Sequence, residues 1–203
     1  LTLAWPEPCL LVDADRAAGQ AVLAGHLRGE AATAGVEALL QAHRERTSMA
    51  AALEAAERPL PEAPGRTFLP GFTHLGAIDL FESAWPPLLA QFEADDRDVI
   101  VDAGRADHRG LPDALVRGAD LVALVCRTSL VGLAGLRLHL TPLLEAGPVD
   151  AVGLILVGPG RPYASAEVSA QFGVPVLAEI AWDPGAADDL NDGPVTRGKR
   201  GRR

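Results

Sequence analysis

Lysine is all but missing. Of the 18 basic residues, 17 are arginine, and the single lysine, Lys199, stands among the last seven residues. The rest of the chain therefore has no amine for Schiff-base chemistry and no ammonium to serve as a point charge on a phosphate. Cysteine is as scarce. Cys9 and Cys126 make neither a disulfide framework nor a zinc site, and they read as small core hydrophobes. The five histidines show no metal-ligand spacing. Aromatic residues are only 4% of the chain, which predicts an aliphatic core. No apolar run approaches the roughly 18 residues of a membrane helix, and no basic stretch opens the sequence as in a secretory leader. These absences predict a soluble, cytoplasmic domain. A net charge of −9 argues against a general nucleic-acid binder.

Hydrophobic residues at 48% are enough for a packed core in one domain of 203 residues. Leu10-Leu11-Val12, Thr67-Phe68-Leu69, Asp98–Asp102, Leu121–Val125, Ala151–Val157 and Val174–Ile180 read as about six short, continuously apolar strands. Between them, Val36–Leu40, Met49–Ala56 with Ser48 as N-cap, Trp85–Glu93, Pro112–Arg117, a segment capped by Thr128 or Ser129, Ala164–Phe172 and Pro184–Leu190 read as helices. Arg58–Arg66, with three prolines, reads as a loop. Apolar strands alternating with helices predict a three-layer α/β fold, a mostly parallel sheet with helices on both faces. No repeat or second domain is visible.

Ligands of open parallel sheets bind beyond the carboxyl ends of the strands. Asp13 and Asp15 end the first strand and Asp102 ends the third. Three carboxylates converging there are costly unless a cation joins them, and hard oxygen donors suit Mg²⁺. The same acids also suit plain turn and helix caps. Gly158-Pro159-Gly160 reads as a turn.

An Asp-x-Asp after an apolar strand is found in haloacid-dehalogenase-type phosphatases, nucleotide-sugar transferases and receiver domains. The first and last also need a lysine, and the phosphatases want Thr or Val where Ala17 stands; in the transferases an acid at Asp102 has no natural place. A fourth family fits in order along the chain. Leu10–Gly19 resembles the segment after the phosphate-loop helix of the MinD/ParA/CpaE-like P-loop ATPases. Asp98–Asp102 with Ala103-Gly104-Arg105 resembles their Walker B strand and switch. Ala119–Val125 with Arg127-Thr128, Gly153–Val157, Phe172–Leu177 and Ala181-Trp182-Asp183 resemble the segments that follow.

The resemblance implies a P-loop NTPase-like fold and an ATPase that uses ATP and Mg²⁺. It implies that Asp15 positions the attacking water, that Asp13 and Asp102 hold the water ligands of the metal, and that Gly104 lets the switch approach the phosphate. Val157, Gly158, Trp182 and Asp183 then line the nucleotide's base side. The Asn often found after the "GLILV" strand is replaced by Val157-Gly158, and the Pro of the "P-x-D" loop by Ala181. Only 12 residues precede Asp13, whereas a strand–loop–helix unit takes about 30. The expectation is thus a partial ATPase domain over residues 1–193, its first strand and P-loop absent and this chain alone inactive. In the intact protein, an ATP-dependent homodimer would position division, DNA-partition, pilus or secretion machinery through a protein partner. Residues 194–203 form a basic segment, a solvated linker or a surface for membrane or DNA, so the intact protein is expected in the cytoplasm, peripheral at most to the inner face of the membrane. The alternative is a non-enzymatic scaffold that keeps the fold without the loop.

Overall fold

The computed structural model describes residues 1–17, 21–27, 35–61, 63–146 and 151–191; the basic segment 194–203 lies outside them. In chain order these carry β1 (Cys9–Asp13), α1 (Ala21–Gly25), α2 (Val36–Glu45), α3 (Met49–Ala56), β2 (Arg58–Pro59), β3 (Arg66–Leu69), α4 (Leu75–Leu80), α5 (Trp85–Glu93), β4 (Asp98–Asp102), α6 (Asp113–Gly118), β5 (Val122–Arg127), α7 (Leu130–Ala146), β6 (Val152–Val157), α8 (Ser165–Phe172), β7 (Val176–Ile180) and α9 (Pro184–Asn191). The chain divides into two compact units, one built from Leu1–Arg105 with the segment from Pro184, the other from Ala106–Asp183.

The first unit holds a sheet in the order β2-β3-β1-β4, parallel except for β2. β1 is central, and four of its five residues are buried, as a strand covered on both faces must be. The expected loop at Arg58–Arg66 contains β2, which pairs antiparallel through Arg58↔Phe68 and Pro59↔Thr67. Proline cannot donate to a ladder, but an edge strand tolerates it. Ser48 caps α3 as expected, its hydroxyl accepting from the Ala51 amide at 3.2 Å, and α5 starts at Trp85 with prolines in its first turn. The core departs from expectation. Phe68, Phe72, Phe81 and Trp85 are its largest fully buried side chains. Phe81 meets Phe72 edge-on at 5.5 Å and Trp85 at 4.6 Å. Few aromatics in the chain do not mean few in the core, because most of them are spent in one unit.

The second unit holds the parallel sheet β5-β6-β7. Here the core is aliphatic as predicted: Val152, Leu154 and Leu156 pack with Val116, Leu136, Leu140, Leu143 and Val168. β5 is apolar along most of its length, yet its residues alternate between half-buried and exposed, and Val125 is 62% exposed. Its half-buried positions Val122, Leu124 and Cys126 join that core, whereas Ala123 and Val125 point to the opposite face. Leu177 lies across Gly153, the end of its side chain occupying the space where a Cβ at 153 would sit.

Candidate functional site

Parallel pairing of β1 with β4 sets Asp13 opposite Asp102, and the Ala14 amide extends the ladder to the Asp102 carbonyl at 2.8 Å. Beyond the strands, each acid turns back on its own chain. Asp13 Oδ1 accepts from the Asp15 amide at 3.1 Å, Asp15 Oδ1 from the Ala17 amide at 2.8 Å, and Asp102 Oδ1 from the Gly104 amide at 2.9 Å. Gly104 has φ +73° and lies against the Asp15 carboxylate, in the space a side chain at 104 would need. The turns of β1 and β4 are thereby interlocked, and the structure brings Asp13, Asp15, Asp102 and Gly104 to one sheet edge. A second glycine, Gly71 beyond β3, lies so close to Asp13 that a Cβ there would sit 2.7–2.9 Å from its carboxyl atoms. Sequence reasoning missed Gly71. Pro70-Gly71 read only as the end of a strand.

Asp13 is buried, 8% exposed. Loss of solvent pushes its carboxyl up to about 6; the amide of Asp15 pulls it down, and the neighbouring charges of Asp102 and Asp15 push it up again. Among the described residues no group of three or more His, Cys, Asp or Glu side chains forms a ready-made metal cage. The donor set here is all carboxylate oxygen, with one oxygen of each acid already accepting an amide. Such a set fits a hard cation that keeps most of its waters, as Mg²⁺ does. Asp13 and Asp102 would hold it.

At the C-terminal edge of the second unit's sheet a buried threonine takes the place that the acids hold in the first. Thr128 is 1% exposed. Its hydroxyl donates to the Gly158 carbonyl and lies 3.5 Å from that of Arg161, while its amide donates to the Val157 carbonyl at 3.2 Å. The Gly158 amide donates to Ile180 at 2.8 Å. Gly158, at φ +71°, lies against Trp182, whose Cβ is 3.3 Å from the position a Cβ at 158 would take. The Arg127 guanidinium sits 4.5 Å over the Trp182 ring. Val157, Gly158 and Trp182 are thus brought to one edge, with Asp183 next in the chain. Of the two expected caps for α7, Ser129 serves, accepting from the Gly132 amide at 3.2 Å; Thr128 instead ties β5 to the turn after β6. Arg127 was missed because its partner stands 55 residues away.

No protein-family model matches the chain, and no curated protein matches its sequence. Solved structures do match its fold. A ParA family ATPase from Chlorobium tepidum superposes with a TM-score of 0.71 at 18% identity, over 94% of this chain and 77% of that one. The MinD cell division protein of Aquifex aeolicus gives 0.71 at 17% identity, over 95% and 76%. The septum site-determining protein MinD of Pyrococcus horikoshii, complexed with Mg-ADP, gives 0.66 at 17%, over 91% and 72%. The chain therefore has the three-layer α/β fold of the ParA and MinD ATPases. No helix among the described residues is long and apolar enough to cross a membrane.

Proposed function

We propose that this chain is the acid-bearing part of a ParA/MinD-like ATPase. The observation that carries the reading is the register Asp13↔Asp102, with Asp15 wedged against Gly104 beside it. In this reading Asp13 and Asp102 hold the waters of Mg²⁺, and Asp15 orients the water that attacks the terminal phosphate. Phosphoryl transfer needs little covalent help from a protein; it needs positioning and charge neutralisation, which these three acids around one cation supply. Val157, Gly158, Trp182 and Asp183 face the base. The lysine that would hold the phosphates is absent from residues 1–198, and we assign the phosphate-binding loop to polypeptide other than these 203 residues. Among the described residues the half-exposed apolar strands β4 and β5 each stand at the end of a sheet, which supports that assignment, because an apolar edge of this kind favours further pairing. An ATP-dependent homodimer acting on a protein partner in the cytoplasm, with the basic segment 194–203 toward a membrane or DNA, completes the proposal. A membrane contact would be peripheral, on the inner face.

The natural polypeptide that contains this chain tests it. Asp15→Ala abolishes turnover of Mg-ATP while affinity for ATP stays within about threefold, since a water-positioning group acts on the transition state. Equal turnover in the two proteins removes Asp15 from the mechanism. The missing lysine favours a second reading, a scaffold that binds a partner and hydrolyses nothing. A "KGGxGxT"-like loop encoded in frame upstream of Leu1 supports the ATPase, and a start codon there supports the scaffold. The 203 residues alone are expected to show no ATP binding by calorimetry.

A further inference from the structure

Glu37 lies in the first turn of α2, yet its carboxylate serves the turn that follows β3. One oxygen accepts from the amides of Thr73 at 2.9 Å and His74 at 2.6 Å. The other accepts from the Thr73 hydroxyl at 2.6 Å and faces His74 Nδ1 at 3.0 Å. Burial pushes the Glu37 carboxyl up, but these donors outweigh it and hold its pKa below the ordinary value, so it stays ionised. The start of α2 also grips the other end of the turn. The Val36 amide donates to the Pro70 carbonyl at 2.9 Å, and the carbonyls of Pro70 and Gly71 occupy the space that a side chain on Gly35 would fill. Three consecutive residues, 35–37, therefore fix both ends of the turn 70–74. Near the first end of that turn stands Gly71, pressed against the carboxylate of Asp13.

We propose that Glu37 is a positioning residue for the acid edge: it sets the turn 70–74 so that Gly71 backs Asp13 and fixes the direction in which that carboxylate faces the Asp15 amide. Its purpose rests on the ATPase reading, because the direction matters only if the carboxylate has something to hold. Its geometry does not.

The test uses amide resonances of the full chain, isotope-labelled, at pH 7.5 with a chelator present. The Asp15 amide donates to Asp13 Oδ1 and so reports that carboxylate. Gly71→Ala displaces the carboxylate directly and calibrates the shift. Glu37→Ala is expected to move the Asp15 amide in the same direction by at least half as much, and the double variant to move it little beyond Gly71→Ala alone. Glu37→Gln, which keeps an acceptor oxygen, restores most of the wild-type position. Where Glu37→Ala does not fold, Glu37→Gln and Thr73→Val give the graded version. Where association broadens the spectra, hydrogen exchange by mass spectrometry at low concentration reads the amides of Asp15 and Ala17. If the amides of Thr73 and His74 respond while those of Asp15 and Ala17 do not, Glu37 merely caps a turn and the proposal falls. Mg-ATP binding, measured on the natural polypeptide, tests the ATPase reading separately.

Discussion

At the end of β1 the chain turns through Asp13 and Asp15; at the end of β6 it turns through Gly158 and Gly160. Both turns leave a central parallel strand, and both are backed by a glycine with positive φ, Gly104 in one unit and Gly158 in the other. Their chemistry differs in sign. Around Gly158 one buried threonine ties the turns to the sheet by hydrogen bonds, and the Arg127 guanidinium stacks on Trp182 beside it. Around Gly104 a buried carboxylate faces two further acids, which costs stability wherever all three are ionised. The cores differ as well, aromatic in the first unit and aliphatic in the second. A charge cluster that costs stability is what the proposed cation site would draw on, and the contrast gives that proposal a physical measure.

The largest effect expected tests that cost. Asp13→Asn keeps an oxygen for the Asp15 amide and removes the charge. With a pKa of about 6 in place of 3.8, the ionised carboxylate costs about 3 kcal/mol above pH 6. The folded pKa is raised, so the wild-type protein loses stability as pH climbs from about 4 to 6. Urea denaturation in chelator should find Asp13→Asn more stable by about that amount at pH 7.5 and no different at pH 3.5. A destabilised Asn variant at pH 7.5 would break the contrast between the edges. Thr128→Val should act in the opposite direction, losing about 1–3 kcal/mol because the Gly158 carbonyl is left without its donor. The smallest effect separates the two glycines. Gly158→Ala should cost about 1 kcal/mol for its left-handed backbone. Gly104→Ala should cost about twice that, since its methyl group also displaces the Asp15 carboxylate. Equal costs in thermal melts would mean that Asp15 moves aside freely.

Much of this was legible in sequence for physical reasons. β1, β4 and β6 read correctly because a continuous apolar run flanked by acids or glycine has few other solutions, and the acids at their ends named the edge. β2 was hidden because Pro59, next to Pro61 and Pro64, speaks for a loop, while two ladder pairs with β3 suffice for an edge strand. α4 was hidden because the side chain of its N-cap residue, His74, makes no capping bond; its start is held by Glu37, a contact 37 residues away along the chain. Long-range contacts of this kind leave no local pattern. The same holds for Gly71 against Asp13 and for Arg127 against Trp182. The aromatic core was misjudged because composition counts residues without saying where they gather.

Leu177 lying over Gly153 has a consequence for how this sequence can change. The two positions share one volume across neighbouring strands, so neither is free to drift alone. A methyl group at 153 requires the Leu177 side chain to move aside or to become smaller, and a smaller residue at 177 by itself uncovers the middle strand to water. Of the two mutational orders, one passes through a mildly exposed intermediate and the other through a displaced Leu177 side chain. Substitution at this face is therefore epistatic: what a side chain at 153 costs depends on the residue at 177.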